Sequence, residues 1–247
     1  MTSGPPPRRA PRLLAISDRR ALAGDPAARA GAAVRGTGAI DPGEHGSAPA
    51  ALLEPWLRRL AAAGVDAVQL REKDLDDADL YALARRARTL LPPPAALLIN
   101  GRPDVALAAG ADGVHLPAAG LPAEAVRRCW GGRLAIGVST HAPEEVEAAR
   151  RAGADYVVFG PVYPTPSKAR HGAPAGLDGL RRAAAVGIPV LALGGVTAER
   201  LPELAAAGAA GAAGIRCFLE AASAQRMVRA AARAFGGDPL DSVCRRA

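Results

Sequence analysis

An α/β fold, a single (β/α)8 TIM barrel, is what the sequence predicts, and three observations predict it. Short aliphatic runs alternate with amphipathic stretches from Leu13 to Phe235. A phrase that ends a helix and opens a strand recurs, as Ala63-Gly64-Val65-Asp66, Ala109-Gly110-Ala111-Asp112 and Ala152-Gly153-Ala154-Asp155, with Ala207-Gly208-Ala209-Ala210 a degraded fourth copy. The 247 residues are 49% hydrophobic but only 3% aromatic, so the core is built from Ala, Val, Leu and Ile. Small aliphatic side chains suit parallel strands covered on both faces. Eight such units in one domain close into a barrel. The rival, an open doubly wound sheet, usually carries a Gly-rich turn after its first strand, and Ser17-Asp18-Arg19 is not one.

The elements follow in order. Residues 1–12 read as a disordered leader, 13–235 as the barrel and 236–247 as a loose tail. Leu13 to Asp18 is the first strand. Residues 19–50 are rich in Gly, Ala, Pro and charge and read as an inserted loop, with a weak helix near Ala21 to Val34 as the alternative. Then helices at Leu52–Ala63, Asp76–Leu91, Pro103–Ala109, Pro122–Trp130, Pro143–Ala152, Leu177–Val186, Ala198–Ala207 and Ala221–Phe235 alternate with strands. The strands are Ala67–Glu72, Ala96–Asn100, Gly113–Leu116, Leu134–Ser139, Tyr156–Pro161, Pro189–Leu193 and Ala212–Arg216. The glycine closing each recurring phrase suits the left-handed residue that ends a helix.

The formal net charge is +7, but the arginines are scattered over helix faces and stacking aromatics are scarce. That speaks against nucleic acid and for a small anionic substrate. Cys129, Cys217 and Cys244 have no metal-type spacing, and their odd number argues against a disulfide framework. No stretch reads as a secretory signal or a membrane span. A cytoplasmic enzyme, with a homo-oligomer allowed, is the expectation.

In a barrel of this kind the site lies at the C-terminal ends of the strands. Those ends read Gln69, Arg71 and Lys73, then Asn100, His115, Ser139, His141, the loop with Thr165, Ser167 and Lys168, then Gly194-Gly195 and finally Ile215-Arg216. The ring is rich in donors and cations and poor in carboxylates. Gln69, Arg71 and Lys73 alternate, so an extended strand would show them on one face as an anion cradle. Gly194-Gly195 after strand 7 and the backbone at Ile215-Arg216 after strand 8 occupy the common phosphate position of such barrels. Thr197 is placed to cap the helix that follows. His141 is the candidate acid/base, whereas His115 reads as packing or support. The long, proline-stiffened loop from Gly160 to Lys168 reads as a lid.

Together, Gln69-Leu70-Arg71-Glu72-Lys73, Asn100-Gly101-Arg102, Gly113-Val114-His115-Leu116, Gly137-Val138-Ser139-Thr140-His141, Tyr156 to Thr165 and Leu193-Gly194-Gly195-Val196-Thr197 resemble the family of thiamine phosphate synthase and its relative, the TenI thiazole tautomerase. The resemblance implies a (β/α)8 barrel of thiamine biosynthesis. The synthase joins hydroxymethylpyrimidine pyrophosphate to a thiazole phosphate with magnesium. For that reaction, it implies pyrimidine and pyrophosphate contacts at Gln69, Arg71, Lys73, Asn100 and Lys168, and thiazole-phosphate contacts at Gly194, Gly195, Ile215 and Arg216. The synthase pattern has an aspartate where Gly101 stands, and another in the region that reads Pro117-Ala118-Ala119-Gly120 here. Magnesium wants oxygen ligands. The expectation is therefore a tautomerase needing no metal, with His141 moving the proton; the synthase, and a non-catalytic binding protein, are the alternatives.

Overall fold

The computed structural model describes residues 10–24, 47–165 and 173–236. Eight parallel strands close on themselves in sequence order. They are β1 (Leu13–Ile16), β2 (Ala67–Leu70), β3 (Ala96–Asn100), β4 (Gly113–Leu116), β5 (Ala135–Thr140), β6 (Tyr156–Phe159), β7 (Val190–Leu193) and β8 (Gly211–Gly214). The closing seam pairs Leu13 with Ala212, Leu14 with Ala213 and Ala15 with Gly214. The described helices are α1 (Arg19–Ala23), α2 (Ser47–Ala63), α3 (Asp77–Leu90), α4 (Pro103–Ala108), α5 (Ala123–Trp130), α6 (Pro143–Arg151), α7 (Gly176–Ala184), α8 (Leu201–Ala206) and α9 (Ala221–Ala234).

Two buried layers follow from the strand alternation. Leu14, Ile16, Ala67, Leu98, Tyr156, Val158, Leu191 and Ala213 fill the barrel interior. The alternate strand residues, such as Ala15, Val68, Val114 and Val157, face the helices and join Trp56, Leu57, Leu83 and Leu180 there. The recurring phrase has a concrete job at the N-terminal face. Asp112, just before β4, donates its N–H to the Leu97 carbonyl of β3, and its carboxylate takes the Leu97 N–H at 2.8 Å. Asp155, before β6, does the same to Ile136 of β5, at 2.6 Å for the carboxylate. Asp66, before β2, takes the Leu13 N–H of β1 at 2.9 Å. Each carboxylate also holds an arginine: Asp66 holds Arg12, Asp112 holds Arg88 and Asp155 holds Arg127. Each even strand thus pins the start of the odd strand before it. At the fourth place Ala210 keeps the backbone half, its N–H meeting the Val190 carbonyl at 2.8 Å, and has no carboxylate.

Several boundaries differ from expectation. The segment taken as a loop from 19 contains α1, because Asp18 caps it by accepting the Ala21 N–H at 3.1 Å while Leu22 is buried. Residues 25–46 lie outside the described residues, as do the leader over 1–9 and the tail from 237. Helix α2 begins at Ser47, before the expected Leu52; Pro49 sits in its first turn, where a missing N–H costs nothing, and the helix continues through Pro55. Strand β2 stops at Leu70 and β8 at Gly214, short of Glu72 and Arg216. Residues 198–200 form a 3-10 turn, and α8 starts only at Leu201, with Pro202 in its first turn. Thr197 has the extended backbone of a cap residue but makes no cap bond; its hydroxyl bonds Glu199 and holds that carboxyl below its ordinary range.

Candidate active site

The C-terminal ends of β2 to β5 bring four of the expected residues into one polar floor. Gln69 is buried and donates its side-chain N–H to Asn100 Oδ1 at 3.0 Å. His115, buried on β4, meets Ser139 Oγ on β5 through Nε2 at 2.8 Å. Burial first, and then the nearby Arg71 charge, push the His115 imidazole down to about 4, so it is neutral near pH 7. His115 thus holds Ser139 as a neutral hydrogen-bond partner. Gln69 Oε1 and His115 Nδ1 have no hydrogen-bond partner. The three-residue alternation expected for Gln69, Arg71 and Lys73 does not hold along its whole length. With β2 ending at Leu70, Arg71 is half-buried beyond the strand, and Lys73 is exposed in a turn closed by the Leu75 N–H on the Glu72 carbonyl.

His141 stands just past β5, exposed at the rim. Its backbone N–H is taken by Glu145 at 2.7 Å, a bond from the first turn of α6 back to the residue before it. Its Nδ1 meets the Gly160 carbonyl, at the end of β6, at 2.5 Å. A carbonyl only accepts, so Nδ1 carries the hydrogen and the Nε2 lone pair is left free. That is the tautomer a general base needs.

The Gly194-Gly195 turn has an unusual backbone course. Both glycines have positive φ, 97° and 65°. In an ordinary strand successive carbonyls point to opposite sides. Here the Leu193 and Gly194 carbonyls both face the loop after β6, accepting from Val162 N–H at 2.8 Å and Tyr163 N–H at 3.2 Å. The peptides are trans, so the N–H groups of Gly194 and Gly195 both point away from that loop. Paired N–H groups on one side form a concavity suited to phosphate. A Cβ at Gly194 would lie 2.7 Å from Pro161 Cβ, and one at Gly195 2.6 Å from Tyr163 Cβ, so glycine is required twice over. Ile215 and Arg216 belong to a 3-10 turn at the β8 end, not to the strand; Arg216 is exposed and Ile215 half-buried. Thr165 is described, with a buried hydroxyl that finds no partner among the described residues. Ser167 and Lys168 lie outside the described residues, so the expected lid is not placed.

Magnesium does not fit the donors present. Position 101 is a glycine with φ of 69°, and the turn Pro117 to Gly120 carries no carboxylate. The carboxylates that follow β2 are already engaged. Glu72 accepts from Ser17 at 2.6 Å and Arg19 at 3.0 Å, and Asp74 is gripped by Arg19 at 2.6 Å. The Arg19 hydrogen bond holds the Asp74 carboxyl below its ordinary range. Asp77 and Asp104 both close on Arg102, which lowers both carboxyls. Among the described residues no cluster of three His, Cys, Asp or Glu side chains could hold a metal. Sequence reasoning missed Arg19 and Arg102 in this role: the partners of Arg19 lie 53 and 55 residues away, and Arg102 joins Asp104, two residues on, to Asp77, 25 residues back.

A closed parallel barrel of eight strands, with a two-glycine turn after β7 and a histidine at the rim past β5, defines a protein of the (β/α)8 class. A model of the thiamine monophosphate synthase family matches residues 41–218, and the chain belongs to that family. It is 52% identical over 160 residues to a putative thiamine-phosphate synthase of Geobacter sulfurreducens, covering 64% of this chain and 75% of that protein. It is 43% identical over 185 residues to the thiamine-phosphate synthase of Methanocella arvoryzae, covering 74% of this chain and 85% of that one. Among solved structures, the thiamine phosphate pyrophosphorylase from Pyrococcus furiosus superposes with a TM-score of 0.71 at 27% identity, over 91% of this chain and 97% of that one. The chain is thus an enzyme of thiamine biosynthesis. Among the described residues no helix is long and apolar enough to cross a membrane.

Proposed function

We propose that this enzyme binds a thiazole phosphate at the Gly194-Gly195 turn and aromatises it by a proton shift, with His141 as acid and base. The observation that carries this reading is the rim itself: its carboxylates are engaged by arginines, while His141 offers a free Nε2. In its neutral form His141 takes the ring proton of a carboxythiazole phosphate that bears an exocyclic double bond. The electron pair moves through the ring, and the proton returns to the exocyclic carbon. The Gly160 carbonyl accepts from Nδ1 throughout, which steadies the imidazolium formed between the two transfers. Arg71 supplies a cation for the substrate carboxylate. Ser139, fixed by His115, supplies a hydroxyl to the ring. No metal enters any step.

The second reading is thiamine phosphate synthesis, and the relatives favour it, since their names carry that activity. The retained Gln69, Arg71, Lys73 and Asn100 suit its pyrophosphate-bearing substrate. The synthase reaction normally relies on magnesium, and this rim lacks a carboxylate set for it. Two assays on the purified protein, each run with and without EDTA, decide between the readings. Aromatisation that is insensitive to EDTA and falls about 100-fold or more in His141→Ala is the expected result. Magnesium-dependent release of pyrophosphate from hydroxymethylpyrimidine pyrophosphate and thiazole phosphate, with no aromatisation, would establish the synthase instead.

A further inference from the structure

Arg200 lies outside the ring of strand ends, yet it closes on the phosphate turn from behind. Its Nη1 donates to the Gly195 carbonyl at 2.5 Å. Its guanidinium lies over the Tyr163 ring, 4.2 Å from the centroid. The Tyr163 hydroxyl in turn donates to Glu203 at 2.5 Å, and the Tyr163 N–H donates to the Gly194 carbonyl at 3.2 Å. Burial, and then the Glu203 bond, raise the Tyr163 hydroxyl to about 12, so it remains a donor throughout the working pH range.

The two glycines set the problem this arrangement answers. A turn with two left-handed glycines has many conformations of similar energy, and fixing one of them costs entropy. Unfixed, the Gly195 and Val196 N–H groups would sample directions that miss a bound phosphate. A trans peptide ties its carbonyl and N–H directions together. Holding the Gly195 carbonyl from behind therefore aims the Val196 N–H forward, and holding the Gly194 carbonyl aims the Gly195 N–H. We propose that Arg200, stacked on Tyr163, is a positioning residue that fixes the phosphate-binding turn and ties it to the base of the loop after β6. This rests on the reading of Gly194-Gly195 as the phosphate site.

Arginine is suited to both tasks, because one face stacks on the ring while the planar edge donates to the carbonyl. Lysine can do the second only. Binding of inorganic phosphate, followed by titration calorimetry alongside the thermal midpoint, separates the possibilities. In Arg200→Met, phosphate binds about tenfold more weakly. Arg200→Lys recovers part of that loss, and Tyr163→Ala matches Arg200→Met. The double variant is no worse than either single one, because the two residues act as a unit. With the proposed substrate, KM rises by a like factor while kcat stays within about threefold, as expected for lost binding common to ground and transition states. A lowered midpoint with phosphate affinity unchanged in Arg200→Met would make the contact merely structural and overturn the proposal. Additive losses in the double variant would overturn the unit of Arg200 and Tyr163. Wild-type protein that takes no phosphate would instead overturn the site reading on which the proposal rests.

Discussion

His115 shows what a single side chain can do when burial fixes its charge. Its imidazole titrates near 4 in the folded protein against an ordinary 6.5, because burial and Arg71 disfavour the cation. Between those two values the unfolded chain takes up a proton that the folded chain refuses. The unfolded state then binds more protons, so stability rises with pH across the window and is fully present above about 6.5. The whole effect amounts to about 3 kcal/mol between the ends of the window. Thermal midpoints taken from pH 7 down to pH 4 should fall in the wild type and fall less steeply in His115→Gln. Parallel curves would show that His115 is not the group responsible. At this scale the sequence reveals residue types but not partners. Ser139 and His115 are both legible as polar strand ends, but their bond depends on the register that sets Gly137 beside His115. Likewise, nothing in the spelling of Arg19 or Arg102 foretells that each closes on two carboxylates.

At the scale of elements, the recurring Ala-Gly-X-Asp phrase was legible as a helix stop, and the structure gives its last letter a second meaning. Asp66, Asp112 and Asp155 each accept a backbone N–H from the neighbouring odd strand, where the parallel ladder would otherwise begin with an unpaired donor. Removing such a carboxylate leaves a buried donor without its acceptor and an arginine without its counter-charge. Asp155→Ala should therefore cost about 2 kcal/mol, from the stranded Ile136 N–H and the weakened Arg127 contact. The thermal midpoint should drop by about 4–8 °C, with the catalytic constants at 25 °C unchanged. The degraded fourth copy supplies the converse experiment. Ala210→Asp places a carboxylate where the pattern expects one, beside the start of β7, and should raise the midpoint by a few degrees. A neutral or negative result there, with Asp155→Ala behaving as expected, would mean that the arginine partner and not the backbone bond carries the device. Element ends were less legible than their existence. The sequence pattern opens this helix at Leu52, whereas α2 begins at Ser47 with Pro49 in its first turn. The alternation of Gln69, Arg71 and Lys73 suggested a strand running to Glu72, whereas the pairing between strands ends at Leu70.

Across the whole molecule the two faces of the barrel solve different problems. At the N-terminal face the carboxylates of Asp66, Asp112 and Asp155 are matched to backbone donors and arginines. Among the described residues, the buried side-chain atoms without partners are Gln69 Oε1, His115 Nδ1 and Thr165 Oγ1 toward the C-terminal ends of the strands, and the Tyr156 hydroxyl, whose residue opens β6. Unsatisfied buried polar groups cost folding free energy. On the function proposed above, those at Gln69, His115 and Thr165 are held for a ligand, as proteins do where function overrides stability. The faces should then respond oppositely to substitution. Gln69→Met keeps the volume of a buried side chain and removes an unpaired oxygen. Its thermal midpoint should match or exceed that of the wild type, while kcat/KM falls about tenfold or more, because Gln69 and Asn100 line the floor on which the substrate rests. Asp155→Ala should do the reverse, lowering the midpoint and sparing the kinetics. Measuring both variants by thermal melting and by the aromatisation assay tests the division directly. A Gln69→Met protein that is destabilised yet fully active would mean that the buried amide serves the fold, and that the partnerless atoms beneath the rim are not held for substrate.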